Sequence, residues 1–320
     1  NYKKKVTVFS LIYNNALFFE DALVSLINQT YPSELIEHII LDDFSSDNSV
    51  EIIKALITKY NYNCKFIRNK KNQGICKSQN IILKLSKGKY FTSLHDDIWE
   101  KNRLELLVSE LEKTENDYAA ICSNFVKIDQ DNKVISNPYF SEDFILPKEL
   151  FSNFLTSKKL LLSTPTALMK TEILKNLGGY DENLFIEDFD MWLKILHKYK
   201  VLHINHCLVR YRKHKTNTSE IYWEKINIDC YKAINNVQKK FQLSEQQKLA
   251  IINKRFELSK YIIVDKLETE KEVVVNFIVE LYNRLLNHDL KDINNKKYLR
   301  VLLDKFLIYV FKKNSFYARE

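Results

Sequence analysis

Glycine and proline are scarce in this 320-residue chain, four of each, which excludes collagen-like repeats, flexible linkers and low-complexity arms. The five cysteines, Cys64, Cys76, Cys122, Cys207 and Cys230, are odd in number, widely spaced and set mostly in apolar runs. They exclude a disulfide framework and are expected to be reduced core residues of a cytoplasmic protein. No C-x-x-C or Cys/His spacing offers a structural zinc site. No apolar run is long enough to span a bilayer, no signal-peptide pattern is read, and no repeat recurs at a solenoid period. The chain also lacks a G-x-G-x-x-G fingerprint and a Walker loop, which disfavours dinucleotide dehydrogenases and P-loop enzymes.

What is present is enough material for one large or two modest domains, with 45% hydrophobic residues. The net charge of +8 is unevenly placed. From Lys215 onward there are 20 Lys+Arg against 14 Asp+Glu, whereas the first 214 residues hold 29 against 27. A basic C-terminal third suits an anionic surface such as a membrane leaflet, although a solvated helical face is the commoner origin of such a bias.

Hydrophobic periodicity predicts a buried strand over 5–12, an amphipathic helix over 20–29, a strand over 38–41 and a helix opening at the polar turn Asp42–Asp47 and running to Tyr60. A strand over 64–67, a helix over 75–86 and a strand over 89–94 follow. This alternation predicts an α/β fold with mostly parallel strands joined by right-handed crossovers. Further on, the pattern predicts a helix over 100–114, a strand over 118–123, a hairpin turning at Asp131-Asn132, a helix over 147–157, a strand over 166–170 and a helix ending at Gly178-Gly179. Ile186, Phe189, Leu193 and Leu196 recur at helical spacing, and a strand is expected over 201–204. Residues 220 to 320 read as helices throughout, over 221–241, 244–265, 270–288 and 296–313. The last of these is amphipathic and basic.

The stretch that organises the rest is Gly88 to Trp99, an apolar, β-branched run that stops at Asp96-Asp97. Strands of open α/β sheets deliver functional residues at their carboxyl ends. Two adjacent carboxylates there suit a hard divalent cation, Mg²⁺ or Mn²⁺, whose usual partner is a diphosphate. Acids after a strand equally suit a helix entry, with Asp97 as the cap. Glu187 and Asp188 carry the same ambiguity at the first turn of a later helix. In a chain without a glycine-rich phosphate loop, acids at two strand ends, Asp42/Asp43 and Asp96/Asp97, leave the phosphate work to a metal.

Taken together, Ile12-Tyr13-Asn14, Ser25 to Tyr31, Ile40 to Asp47, Asn72-Gln73-Gly74 with Asn80, and Gly88-Lys89-Tyr90 leading to Asp96-Asp97-Ile98-Trp99 resemble the successive signatures of family 2 glycosyltransferases of the GT-A fold. Glu187-Asp188, and Arg212-x-His214 followed by Asn217 and Ser219, extend the resemblance over about the first 215 residues. It implies a GT-A catalytic domain over 1–215 and a helical C-terminal region over 216–320. It implies nucleotide contacts from Leu11, Tyr13, Asp43, Lys77, Asp96 and Arg212, a Mn²⁺ or Mg²⁺ held by Asp97 and His214, and Asp188 as catalytic base with Glu187 beside it. The chain departs from the family pattern at Ser10-Leu11, at Gln79 before Asn80, and at Leu94-His95 before the Asp pair, where a first acid is missing.

The implied reaction is inverting, metal-assisted transfer from a nucleotide-sugar donor, with UDP the expected nucleotide, to a glycan or lipid-linked acceptor in surface polysaccharide synthesis. Nucleic acid is not an expected partner, because unneutralised acids would repel its phosphates. Peripheral contact with the inner face of the plasma membrane through the basic C-terminal helices, or self-association, would occupy that region. Two other readings share the scaffold. A sugar-phosphate nucleotidyltransferase should carry a Gly-rich basic loop after its first strand, where this chain has Tyr13-Asn14-Asn15. A non-catalytic glycan-binding module would keep the fold without the chemistry.

Overall fold

In the computed structural model, residues 5–142 and 144–266 are described. The expected helices over 270–288 and 296–313, including the basic amphipathic one, lie outside the described residues. One eight-stranded sheet organises the fold, its strands in the spatial order β3 (Lys65–Arg68), β2 (Ile36–Asp42), β1 (Val6–Ile12), β4 (Tyr90–Ser93), β7 (Ala167–Lys170), β6 (Tyr118–Ile128), β8 (Lys200–Arg212) and β5 (Ile98–Trp99).

The first half follows the alternation read from the sequence: β1 (Val6–Ile12), α1 (Phe19–Ile27), β2 (Ile36–Asp42), α2 (Ser49–Lys59), β3 (Lys65–Arg68), α3 (Ile75–Leu85) and β4 (Tyr90–Ser93). β1 lies between β2 and β4, and all of these pairings, with β3 beyond β2, are parallel. β1, β2 and β4 are buried along almost their whole length because helices cover both faces, which explains their continuous apolar runs rather than alternation. Val6, Val8, Tyr90, Leu94, Trp99, Leu104 and Leu107 belong to one apolar cluster, and Ile12, Phe19, Leu23, Ile40, Ile53 and Leu56 to another. Each such aliphatic side chain contributes roughly 1.5–3 kcal/mol by leaving water.

Gly88 opens β4 because nothing larger fits. A Cβ there would lie 2.3 Å from the backbone nitrogen of Thr7, whose hydroxyl accepts the Gly88 amide at 2.9 Å.

The second half departs from parallel winding. β5 (Ile98–Trp99) pairs antiparallel with β8, α4 spans Arg103–Glu112, and β6 runs over Tyr118–Ile128. After α5 (Leu150–Thr156), β7 (Ala167–Lys170) is antiparallel to both β4 and β6. α6 (Thr171–Asn176) and α7 (Asp188–Lys198) lead into β8 (Lys200–Arg212), which is parallel to β6 with register breaks near Ser123 and Asn124.

Several expectations are corrected here. Asp96-Asp97 does not enter a helix near Trp99. Ile98 and Trp99 pair with Arg210 and Val209, and the helix starts only at Arg103. The strand expected over 201–204 continues to Arg212, because the residues from Cys207 onward find a second length of β6 to pair with. Finally, α7 is not buried by one stripe alone. Met191, Trp192 and Ile195 are buried beside Leu193 and Leu196, because α7 packs on β8 and also on α9 (Trp223–Lys240). The helix expected over 221–241 is interrupted at Tyr222, between α8 (Thr218–Ile221) and α9.

The chain divides into two compact units, 1–254 and 255–320. The expected boundary at 215/216 therefore falls inside the first unit, with α9 on the same side of the division as α7. α10 (Glu245–Lys266) begins in the first unit, and its residues 255–266 are the described part of the second. Among the described residues, no helix is long and apolar enough to cross a membrane.

Candidate active site

The carboxyl ends of β1, β2 and β4 meet along one rim. Ile12 is in register with Asp42, so the segments leaving both strands are neighbours. The Asp43 amide donates to Ile12 O at 2.8 Å, and the Asn14 amide to Ser45 Oγ at 3.0 Å. Asn14 Oδ1 accepts the amides of Ser46 at 2.9 Å and Asp47 at 3.3 Å. Leu11 lies one residue inside, paired with Leu41.

Asp43 is buried, and its own fold uses both of its oxygens. One accepts Asn69 Nδ2 at 2.7 Å and the Gln73 amide at 2.8 Å; the other accepts the Gly74 amide at 2.8 Å. It thus shapes the turn that opens α3, where Gly74 takes a φ of 84°. Lys77 is exposed on the first turn of that helix. Asp42, which the sequence offered only as part of a doublet, is fully buried. Its Oδ2 accepts Arg68 Nε at 3.2 Å and the Ser45 amide at 3.1 Å, while Oδ1 has no partner.

Around Asp96-Asp97 the structure assembles residues more than a hundred positions apart. Asp96 Oδ2 and His214 Nε2 are 2.6 Å apart, and His214 Nδ1 is 2.7 Å from Thr216 Oγ1. Asn217 accepts the His214 amide at 2.8 Å and fixes the loop that carries it. Asp97 is buried and accepts the Arg212 amide at 2.8 Å. Burial first, and then the neighbouring Asp96 charge, push its carboxyl well above the usual carboxylate range.

Arg212, expected at a diphosphate, is fully buried and committed to the protein. Nε donates to Asp96 O at 2.8 Å, Nη1 to Asp129 O at 3.3 Å and Gln130 O at 3.2 Å, and Nη2 to Asp21 Oδ2 at 3.1 Å. Its guanidinium also lies 4.5 Å over the Phe18 ring. A second buried guanidinium, Arg103, stacks at 3.9 Å on Trp99 and donates through Nη2 to Thr92 Oγ1 and to the carbonyls of Pro165 and Ala167. Burial lowers it to about 9, while the Asp97 charge acts the other way. Sequence reasoning missed Arg103. Its signal was a cation four residues after Trp99, at a helix start that disfavours positive charge.

Glu187 and Asp188 open α7. Asp188 Oδ1 accepts the Phe189 amide at 2.7 Å, and burial raises its carboxyl. Glu187 is pushed up to about 7 by burial and by the Asp188 charge, against a hydrogen bond from Gln79. Asp190 plays a different part. It pairs with Lys194 Nζ at 2.6 Å, which also reaches Gly179 O at 2.9 Å, and so fastens α7 to the preceding turn. Trp192 is core, its Nε1 donating to Thr164 Oγ1 at 3.1 Å.

Tyr211 relates the two acidic clusters. Burial raises its phenol, and the charges of Asp97, Asp96 and Asp188 all add to that shift, so the three carboxylates act on one hydroxyl. The strand pairing hints at this residue, since Tyr211 stands between Arg210 and Arg212 on β8, but its neighbours at 96 and 188 are set only in three dimensions.

The donor chemistry near Asp96 fits a hard divalent ion: a carboxylate and an imidazole side by side, the imidazole's other nitrogen engaged by a hydroxyl, as ligating histidines require. Among the described residues, no three His, Cys, Asp or Glu side chains converge on one metal position. A divalent ion that works on phosphates is usually held by one or two carboxylates and completed by the substrate's phosphates and water.

The family model described as "Glycosyl transferase family 2" matches residues 7–178. An uncharacterized glycosyltransferase of Methanocaldococcus jannaschii is 30% identical over 214 residues, covering 66% of this chain and 71% of that protein. Among solved structures, S. aureus TarS 1-349 in complex with UDP-GlcNAc superposes with a TM-score of 0.61 at 18% identity, covering 92% of this chain and 78% of that one. Against a longer TarS chain, this one spans 43%. The mannosyltransferase PcManGT of Pyrobaculum calidifontis, in complex with GDP-Man and Mn²⁺, gives a TM-score of 0.59 at 14% identity and covers 94% of this chain and 84% of that one.

Proposed function

The chain belongs to glycosyl transferase family 2, and on that footing we propose that it moves a sugar from a nucleotide-diphosphate donor, a UDP-sugar in the first instance, to a hydroxyl of a glycan or lipid-linked acceptor, inverting the anomeric carbon. The observation that carries the reading is the pairing of Asp96 Oδ2 with His214 Nε2 at 2.6 Å at the turn after β4, beside buried Asp97, in a chain whose α7 opens on Glu187-Asp188. Neighbours of the same fold bind nucleotide sugars, UDP-GlcNAc in TarS and GDP-Man with Mn²⁺ in PcManGT, which supports the donor class.

Asp188 acts as general base on the acceptor hydroxyl. Its raised carboxyl is an advantage here, because a base works best when its pKa approaches the operating pH. The Phe189 amide holds one oxygen, which orients the carboxyl. Glu187 sits beside it and, by retaining a proton near neutrality, spares Asp188 a second full negative charge. A single displacement with one base predicts inversion.

His214 together with one carboxylate of the Asp96-Asp97 pair would hold Mn²⁺ or Mg²⁺. When bound, the ion offsets the charge of the departing diphosphate. Arg212 and Arg103 serve as buried supports of the acidic turn, and Tyr13 and Asp43 border the nucleoside position. Membrane-surface contact and self-association through the C-terminal helices remain part of the proposal.

Asp188→Asn tests the base. Transfer is expected to fall by about 10²–10⁴-fold, the range general-base catalysis contributes, with nucleotide affinity retained. Full activity in this variant would overturn the assignment.

A further inference from the structure

Phe44 is a bulky aromatic residue with a φ of 67°, in the left-handed region where glycine or asparagine is at ease and a phenylalanine is a true outlier. Such strain persists only when the surroundings over-determine the backbone, and here they do. Arg68 donates through Nε to Asp42 Oδ2 at 3.2 Å and through Nη2 to Ser45 O at 2.9 Å, bracketing residue 44 from both sides. Ser45 donates its amide to Asp42 Oδ2 and accepts that of Asn14, which itself takes a φ of 51° and holds the amides of Ser46 and Asp47.

The strain secures no packing in return. Phe44 is 47% exposed, and the Arg68 guanidinium lies 5.5 Å from its ring centroid. Its neighbour across the β1/β2 rim, Tyr13, is 49% exposed. Two aromatic side chains are therefore left in solvent at the ends of adjacent strands, on segments that are bonded to each other. Buried apolar contact would explain an aromatic residue here, and there is little. A flexible surface turn would explain exposure, and the hydrogen-bond network makes this turn rigid.

We infer that Phe44 is a nucleotide-binding residue of the donor site: its ring, held out by the strained 42–47 turn and backed by Arg68, is a stacking face for the nucleobase, with Tyr13 as the second aromatic wall. The inference rests on the nucleotide-sugar reading and deepens it by naming the residue that grips the base. A flat heteroaromatic ring presents a π-face to any aromatic platform, and base–aromatic stacking is lost on truncation of the aromatic side chain. The guanidinium behind Phe44 polarises the ring and fixes its plane.

The test is Phe44→Gly in the full chain, read by two measurements: the dissociation constant for UDP in the presence of Mn²⁺, and the thermal midpoint without ligand. The ligand-free midpoint is expected to rise by a few degrees, because glycine relieves the left-handed strain. The UDP dissociation constant is expected to rise at least about fivefold, the low end of base–aromatic stacking. Phe44→Tyr, which keeps the ring, is expected to restore the affinity. A glycine variant that binds UDP like the parent overturns the inference, as does a lowered ligand-free midpoint, which would make Phe44 a structural residue. If the parent protein binds neither UDP nor GDP, the nucleotide-sugar reading itself fails, and that outcome is read before any variant is made.

Discussion

At the scale of single residues, the site is governed by carboxyl groups kept out of water. Glu187 is raised to about 7 by burial and by Asp188, with no cation among the causes acting on it. A carboxyl whose native pKa lies above its unfolded one favours the folded state at low pH. That contribution is complete below about 4.5 and is lost as pH rises through about 7. Glu187→Gln is therefore expected to leave stability unchanged near pH 4.5 and to raise it at pH 8 by roughly 2 kcal/mol, a value discounted from the full shift because the group is partly solvated. Denaturant melts at the two pH values check this. The same variant is expected to leave the acid limb of kcat/KM in place, because Glu187 holds its proton up to about 7 and its charge is not among the causes that raise Asp188. An acid limb that moves would mean that the pair shares a proton. The residue types were all visible in the sequence, but their protonation was not: Asp97 and Asp188 look like any other acids in one dimension, and their raised carboxyls come from the burial that surrounds them.

At the scale of elements, the decisive contacts run from the end of β8 to the turn after β4. Arg212 fastens the Asp96 carbonyl, the 129–130 turn and Asp21 of α1 in one buried fan of hydrogen bonds. Arg212→Met is expected to destabilise by about 3–5 kcal/mol, the cost of breaking a buried charged network from one side. It should also loosen the Asp96–His214 contact. Thermal melts give the first effect, and a reduced affinity for Mn²⁺ with UDP gives the second. Stability close to the parent's would show that the fan is dispensable. α9 makes a parallel case: buried Asp229 accepts the Phe185 amide and Asn236 donates to Asp181 Oδ2 at 3.1 Å, so a helix beyond residue 215 steadies the loop that leads to Asp188. The apolar period of α9 gave no hint of this, because the two residues concerned are polar and act on backbone and side-chain groups some 44 and 55 positions away.

At the scale of the whole molecule, the described residues supply a rim of acids with no three-ligand cage. Two buried arginines, Arg212 and Arg103, lie near Asp97, whose carboxyl is still held above its ordinary range by burial. Mn²⁺ alone is therefore expected to shift the thermal midpoint little, and UDP with Mn²⁺ to shift it by several degrees, because ligands that bind only the native state stabilise it in proportion to ln(1 + [L]/Kd). A panel of UDP, GDP, CMP and TDP sugars with and without Mn²⁺ measures this and ranks the nucleotides. A large shift with metal alone would contradict the shared-ligand arrangement.

The sequence by itself determined the parallel half of the sheet, since α1, α2 and α3 carry a helical period and β1, β2 and β4 are short continuous apolar runs set between them. It also determined the family, through motifs that stand in order along the chain. It could not show that β5 would pair with β8 instead of opening a helix, because two residues have no period and their partners lie more than a hundred positions downstream. Nor could it show that Arg212 would be buried rather than exposed to phosphate, or that Phe44 would stand strained in solvent. Burial and backbone conformation at those positions come from the other elements that close around them, and that closure exists only once the chain has folded.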